Sequence, residues 1–318
     1  MTAVRVDPTR AGRVLLTGAG GFIGAHIARA LLGRGAEVHA VVRDRSRAHR
    51  LDAIAKELTL HEADLLDPAA TARVIEAVRP ELCIHAAWYA VPGKYLAAPE
   101  NLAHVGASLD LATRLTAAGC KRFVGLGTCF EYALGDTTKP LTESSPTGPR
   151  FLYSSSKLAL HDLLTAYAPI AKISYAWCRI FYQYGPMEAP ERLVPHVIDR
   201  LSSGGVAETS EGAQVRDFLH VEDVGAAVVS VALSDLEGAV NVGSGAAVTV
   251  REIVSTIARV CDATDRVRFG AVPYRTGDPM YVCADVEKLR STGFEARFDL
   301  ESGLRDTVRA RREELAVR

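Results

Sequence analysis

Between residues 17 and 24 the chain reads Thr-Gly-Ala-Gly-Gly-Phe-Ile-Gly, directly after the apolar run VLLT at 14–17 and at the head of a helical pattern over 22–33. A strand that passes through a glycine-rich turn into a helix presents unpaired backbone amides at the positive end of that helix, where a pyrophosphate can rest. Glycine at 18, 21 and 24 suits such a turn, because side chains there would block a tight bend and a close approach of backbone to phosphate. The feature therefore asks for a sheet whose strands end at a nucleotide.

The rest of the first half supplies that sheet. Short apolar runs at 38–42, 58–63, 82–87 and 123–128 alternate with helical patterns at 68–78 and 101–118, the rhythm of stacked βαβ units. Asp67-Pro68 is a helix start, with Asp as N-cap and Pro at the first helical position. After Tyr132 the segment GDTTKPLTESSPTGPR reads as a loop that delivers the chain to Tyr153 at the head of another helix. Beyond about Phe181 the alternation is lost. The pattern predicts an α/β protein: a Rossmann doubly wound parallel sheet over 12–181, joined again by 216–246, with a smaller C-terminal substrate-binding α/β domain over 182–318.

Charge and cysteines remove several classes of function. With 37 Lys and Arg against 38 Asp and Glu, no net field draws the chain to nucleic acid or to an anionic membrane. The six cysteines are scattered without metal-ligand spacing, so no metal is expected, and they read as reduced thiols of a cytoplasmic protein. The polar start MTAVRVDPTR lacks the apolar core of a signal peptide, and no run reaches the length of a membrane span.

Two further positions carry chemistry. Where NAD-binding chains hold the ribose 2′-hydroxyl with an acid at the end of the second strand, this chain has Val42, then Arg43, Asp44 and Arg45. Arg43, with Arg45 second, favours the 2′-phosphate of NADP, while Asp44 leaves NAD possible. Tyr153 and Lys157 lie four residues apart, on one face of a helix, where a cation lowers a neighbouring phenol toward working pH so that it can exchange a proton with an alcohol oxygen. Thr128, at the end of the run FVGLGT, offers a hydroxyl to hold that oxygen.

Together with these, A-D-L at 63–65, H-A-A at 85–87, G-T-C-F-E-Y at 127–132, Y-S-S-S-K at 153–157, R-I-F-Y-Q-Y-G-P at 179–186, R-D-F-L-H-V-E-D at 216–223, N-V-G-S-G at 241–245 and R-T-G-D at 275–278 form an ordered series over nearly the whole chain. The series resembles the extended short-chain dehydrogenase/reductases, in particular the NAD-dependent epimerase/dehydratase family. The resemblance implies catalytic Thr128, Tyr153 and Lys157, and a dinucleotide held by Gly18, Gly21, Phe22, Ile23, Gly24, Asp64, Leu65, Ala86 and Ala87 beside Tyr153 and Lys157. It implies a nucleotide-sugar substrate whose diphosphate faces Arg216 and Arg275, with Trp88 and Tyr182 at the sugar pocket, although the family has Asn at the position of Tyr182.

It also implies a homodimer formed by the helices at about 101–118 and 151–168, whose Leu109, Leu111, Leu115, Leu158 and Leu163 exceed one buried face. Family dehydratases carry Asp-Glu after the threonine; Cys129 and Phe130 stand there, and Glu131 comes one place late. The expected reaction is NADPH-dependent reduction of a nucleoside-diphosphate 4-keto-6-deoxysugar, with an NAD-dependent 4-epimerase as the alternative and a non-catalytic dinucleotide sensor after it.

Overall fold

The computed structural model describes residues 12–135 and 138–316; the polar start of the chain lies outside them. Strands β1 (Arg13–Thr17), β2 (Glu37–Val42), β3 (Thr59–Glu62), β4 (Leu82–His85), β5 (Arg122–Thr128) and β6 (Ser174–Ile180) form one parallel sheet with the strand Gly238–Val242. Its order is β3-β2-β1-β4-β5-β6 followed by Gly238–Val242. After β3 the chain crosses to the other side of β1, so the carboxyl ends of β1 and β4 flank the crevice where open α/β sheets bind ligands. The expected runs at 58–63 and 82–87 are each longer than the strands observed, and Ala86 and Ala87 lie past the end of β4, on the rim of that crevice.

The central strands read as nearly continuous apolar runs because both of their faces are covered. On one face Val14, Leu16, Ile84, Val124 and Ala176 pack against α1 (Phe22–Leu32) and the helix Val221–Ala232. On the other, Leu15, Val41, Cys83, Phe123 and Trp177 meet α2 (Pro68–Val78), α3 (Glu100–Ala117) and α4 (Leu152–Ala171). Alternation along β1 thus assigns successive side chains to opposite cores. Asp67 caps α2 by accepting from the amide of Ala69 at 2.8 Å, with Pro68 behind it.

A third core, with Val197, Ile198, Ile253, Ile257 and Leu304 at its centre, joins the helices Leu193–Ser202, Val250–Val260 and Leu300–Ala316. Short strands carry the chain between the two regions. Tyr182–Tyr184 pairs in parallel with Phe218–His220, and Val215–Arg216 lies between Val248–Thr249 and Tyr281–Val282. These pairings bring Tyr182 and Arg216 to the same wall. No helix of the described residues is long and apolar enough to cross a membrane.

Candidate active site

The glycine turn fits a dinucleotide for reasons visible atom by atom. Gly18 has φ +67°, and a Cβ there would stand 2.6 Å from the Ala87 amide nitrogen and 2.7 Å from the Ala86 carbonyl carbon. A Cβ on Gly24 would run into the Gly18 carbonyl oxygen. Only glycine lets the loop fold against α1 and against the segment after β4. At the start of α1, Gly21 contributes no side-chain cap and the first turn carries no acid, so the amides of Phe22 and Ile23 are open to an anion.

At the end of β2 the three charged side chains have different fates. Arg43 is exposed, with no salt-bridge partner among the described residues. Asp44 turns back on its own loop, accepting from the amide and hydroxyl of Ser46 at 2.9 and 2.6 Å. Arg45, expected to be the second phosphate ligand, instead donates to the Leu60 carbonyl at 2.6 Å and faces Glu62 on β3. Its guanidinium is thus engaged by the neighbouring strand while more than half of the side chain stays exposed. Asp64 is exposed beyond β3 and accepts from the amide of Leu66 at 3.0 Å, while Leu65 packs partly into the adjacent core.

Thr128 ends β5 and starts a short helical turn, accepting from the amide of Phe130 at 3.3 Å, and it is near enough to Tyr153 to favour the charged form of that phenol. Tyr153 and Lys157 share one face of α4, as their spacing requires. Lys157 is buried; its Nζ donates to the Leu126 carbonyl at 2.7 Å and lies 3.7 Å from the centre of the Trp88 ring.

The expected lowering of the tyrosine does not hold for the protein alone. Burial raises the Tyr153 phenol, and the Tyr95 hydroxyl and the Glu131 carboxylate add to that rise, with Thr128 acting against it. The perturbed cation is Lys157, brought down to about 7 by burial, with the Glu131 carboxylate holding it up.

Glu131 explains why this turn departs from an acid-base pair. It is fully buried, its carboxylate accepting from Arg179 Nε at 2.8 Å, from Trp177 Nε1 at 3.1 Å and from the Thr128 amide at 2.8 Å. Cys129 is buried too, and its thiol is pushed up to about 12. Phe130 packs edge-on against Phe151 and Tyr182. None of the three is free to move a proton near neutral pH.

Of the two arginines assigned to a diphosphate, Arg216 is buried, 5.3 Å from the Tyr182 ring centre, and its Nη2 donates to Asp278 Oδ1 at 2.8 Å. Arg275 is exposed on the loop that also supplies Asp278, in a turn closed by the Asp278 amide on the Arg275 carbonyl at 3.0 Å. R-T-G-D thus acts as a unit: its last residue aims Arg216 while its first remains at the surface. Trp88 serves Lys157 with its face and donates its indole N–H to Asn101 at 2.7 Å.

Sequence reasoning missed Tyr95, whose ring meets Tyr153 edge-on at 4.9 Å, and Arg192, whose guanidinium carbon is 5.5 Å from the Tyr95 ring centre. Next to Arg192, burial raises the Glu188 carboxyl to about 8. No motif marks these residues, since they arrive from loops.

Comparison with known proteins places this geometry among its relatives. Residues 14–243 match the model of the family described as the NAD dependent epimerase/dehydratase family. The UDP-glucose 4-epimerase of Bacillus subtilis is 30% identical, the match covering 93% of this chain and 96% of that protein. The dTDP-glucose 4,6-dehydratase of Streptomyces griseus is also 30% identical, over 93% of this chain and 92% of that one. The crystal structure of Thermus thermophilus UDP-glucose 4-epimerase in complex with NAD superposes with a TM-score of 0.81 at 27% identity, covering 94% of this chain and 99% of that one.

Proposed function

The chain belongs to the NAD dependent epimerase/dehydratase family, and on that premise we propose that it performs nicotinamide-dependent oxidation and reduction at C4 of a nucleoside-diphosphate sugar, as a 4-epimerase. The observation that carries the reading is the meeting of Thr128, Tyr153 and Lys157 at the end of β5 and the head of α4, with the dehydratase acid and base replaced by buried Cys129 and half-buried Phe130. The sequence alone set 4-keto reduction first and epimerisation second; the relatives, which are 4-epimerases and a 4,6-dehydratase, favour the reverse order.

The cradle of Gly18, Gly21 and Gly24 and the amides of Phe22 and Ile23 would hold the pyrophosphate of the dinucleotide. Bound there, the nicotinamide would take a hydride from the sugar and give one back. Thr128 keeps the C4 oxygen close to Tyr153, whose phenolate oxygen accepts the proton as C4 is oxidised and, now as the phenol, returns it on reduction. Lys157 supplies positive charge to that exchange, and Glu131, buried behind it, favours its charged form. Arg216, aimed by Asp278, and Arg275 on the adjoining loop would receive the diphosphate.

A second reading, NADPH-dependent reduction of a 4-keto sugar, is favoured by one observation: β2 ends in buried Val42 and exposed Arg43, while the Asp44 carboxylate is occupied by Ser46. The two differ in cofactor balance. An epimerase converts a 4-hydroxy nucleotide sugar to its C4 epimer with no net change in nicotinamide absorbance, whereas a reductase consumes one NADPH per alcohol formed. Incubation with UDP-glucose and dTDP-glucose, and in parallel with a nucleoside-diphosphate 4-ketosugar and NADPH, followed by NMR and absorbance, separates them. Absence of both reactions overturns the proposal.

We further propose a homodimer through α3 and α4. Leu111 and Leu115 do not contribute to it, being buried against the sheet. Leu102, Leu163 and Ile170 remain at 62, 50 and 80% exposure on these two helices, with half-buried Leu109 and Leu158 beside them. Light scattering is expected to give twice the chain mass, and a monomer at micromolar concentration removes this interface.

A further inference from the structure

Tyr153 and Lys157 are set by α4, but each also leans on a residue of the loop between β4 and α3. Lys157 places its ammonium on the face of Trp88, and Tyr153 receives the edge contact of Tyr95. The amide of Tyr153 donates to the Leu96 carbonyl of the same loop at 3.0 Å. Among the groups that hold that loop, one side chain makes three of the bonds. Asn101, fully buried at the start of α3, accepts from Trp88 Nε1 at 2.7 Å through Oδ1. Its Nδ2 donates to the carbonyls of Tyr95 at 2.7 Å and Ala98 at 2.8 Å.

We propose that Asn101 is a positioning residue for the Tyr153–Lys157 pair, a single buried carboxamide that fixes the Lys157 ammonium through Trp88 and the Tyr153 ring through Tyr95. The proposal rests on the catalytic role assigned to that pair above. The chemistry selects the side chain: the site requires one acceptor and two donors on a planar group, which a carboxamide has and a carboxylate or hydroxyl lacks. Aspartate would turn a second acceptor toward two carbonyls, and alanine would strand the Trp88 N–H and the Tyr95 carbonyl, leaving Ala98 only the backbone amide of residue 101.

Loss of the amide releases Trp88 from beneath Lys157 and Tyr95 from beside Tyr153 together, so both ends of the proton exchange lose their alignment while the glycine cradle is untouched. Asn101 itself touches neither the cradle nor the reacting hydroxyl. Its effect belongs to turnover and not to cofactor affinity.

The test uses the full chain labelled with 5-fluorotryptophan, in which the two tryptophans, Trp88 and Trp177, give separate fluorine NMR signals. His104 also stacks on the Trp88 ring, with centroids 5.4 Å apart, so the titrations are run in a His104→Gln background, where the Trp88 signal is expected to follow Lys157 and to lose that dependence in Lys157→Met. Asn101→Ala is expected to uncouple the Trp88 signal from pH and to lower kcat about 10- to 100-fold, with KM for cofactor within roughly threefold of wild type. Trp88→Phe, which keeps a ring face but not the N–H donated to Asn101, is expected to lower kcat in the same sense by a smaller factor.

A Trp88 titration unchanged in Asn101→Ala overturns the proposal. If Asn101→Ala does not fold, Trp88→Phe decides, and wild-type kcat in that variant overturns it. Tyr153→Phe, assayed alongside, keeps the two claims apart. Full turnover in that variant defeats the catalytic assignment, while the fluorine signal still reports whether Asn101 sets Trp88 against Lys157.

Discussion

Replacing Glu131 tests the electrostatics behind the site. Its carboxylate is fully buried and accepts from Arg179, Trp177 and the Thr128 amide, so Glu131→Ala removes all of these and leaves a guanidinium that is itself only 3% exposed without its charge partner. Breaking a buried pair by removing one partner costs about 3–5 kcal/mol, a fifth or more of the roughly 5–15 kcal/mol that holds a domain folded. Glu131→Gln keeps an acceptor for Thr128 and removes the charge.

The sign of the functional effect follows from Lys157, whose ammonium is disfavoured by burial and held by the Glu131 charge at about 7. The charged form is the one present below that pKa, so activity that requires it is lost as pH rises through it. Without the carboxylate the ammonium is disfavoured further, and the alkaline limb of the kcat/KM profile moves to lower pH. Urea denaturation of Glu131→Ala and the pH–rate profile of Glu131→Gln are the assays. A destabilisation under about 1 kcal/mol, or an alkaline limb that stays in place, refutes the reasoning.

Three further outcomes are expected. Gly24→Ala drives a methyl into the Gly18 carbonyl, so dinucleotide affinity measured by fluorescence quenching should fall at least tenfold with little change in the circular dichroism spectrum. Asp278→Ala frees the Arg216 guanidinium from its aim, and competitive inhibition by UDP should weaken by roughly tenfold, about 1.4 kcal/mol. Arg43→Ala should raise KM for NADPH far more than KM for NADH if the phosphate reading of that residue is sound; equal shifts discard it.

Much of the scaffold could be read from the chain because its signals are local. The turn at 17–24, the Asp67-Pro68 start of α2 and the four-residue step from Tyr153 to Lys157 each depend on neighbours in sequence, and each is found in place. What escaped depends on distant partners. That Arg45 is spent on Leu60 follows from the pairing of β2 with β3, and that Leu111 and Leu115 face the sheet follows from the roll of α3.

The rise of the Tyr153 phenol has the same kind of cause, since spacing on a helix gives the nearest cation but not the burial that opposes it. Asn101 carries no motif at all. Its importance is visible only once Trp88, Tyr95 and Ala98 are seen around it. Asp278 is legible in the sequence, because it ends the same R-T-G-D motif that Arg275 begins.

The central claim is that Tyr153 exchanges a proton at C4 while hydride moves at the same carbon. It is tested most directly with a nucleotide sugar carrying deuterium at C4, wild type and Tyr153→Phe being compared by NMR of the product and by turnover. The account predicts a primary isotope effect in the wild type and a loss of roughly 10²–10⁴-fold in kcat in the variant, with cofactor affinity within a few-fold. Turnover in Tyr153→Phe close to wild type, or turnover indifferent to deuterium at C4 in a variant and wild type alike limited by chemistry, contradicts it.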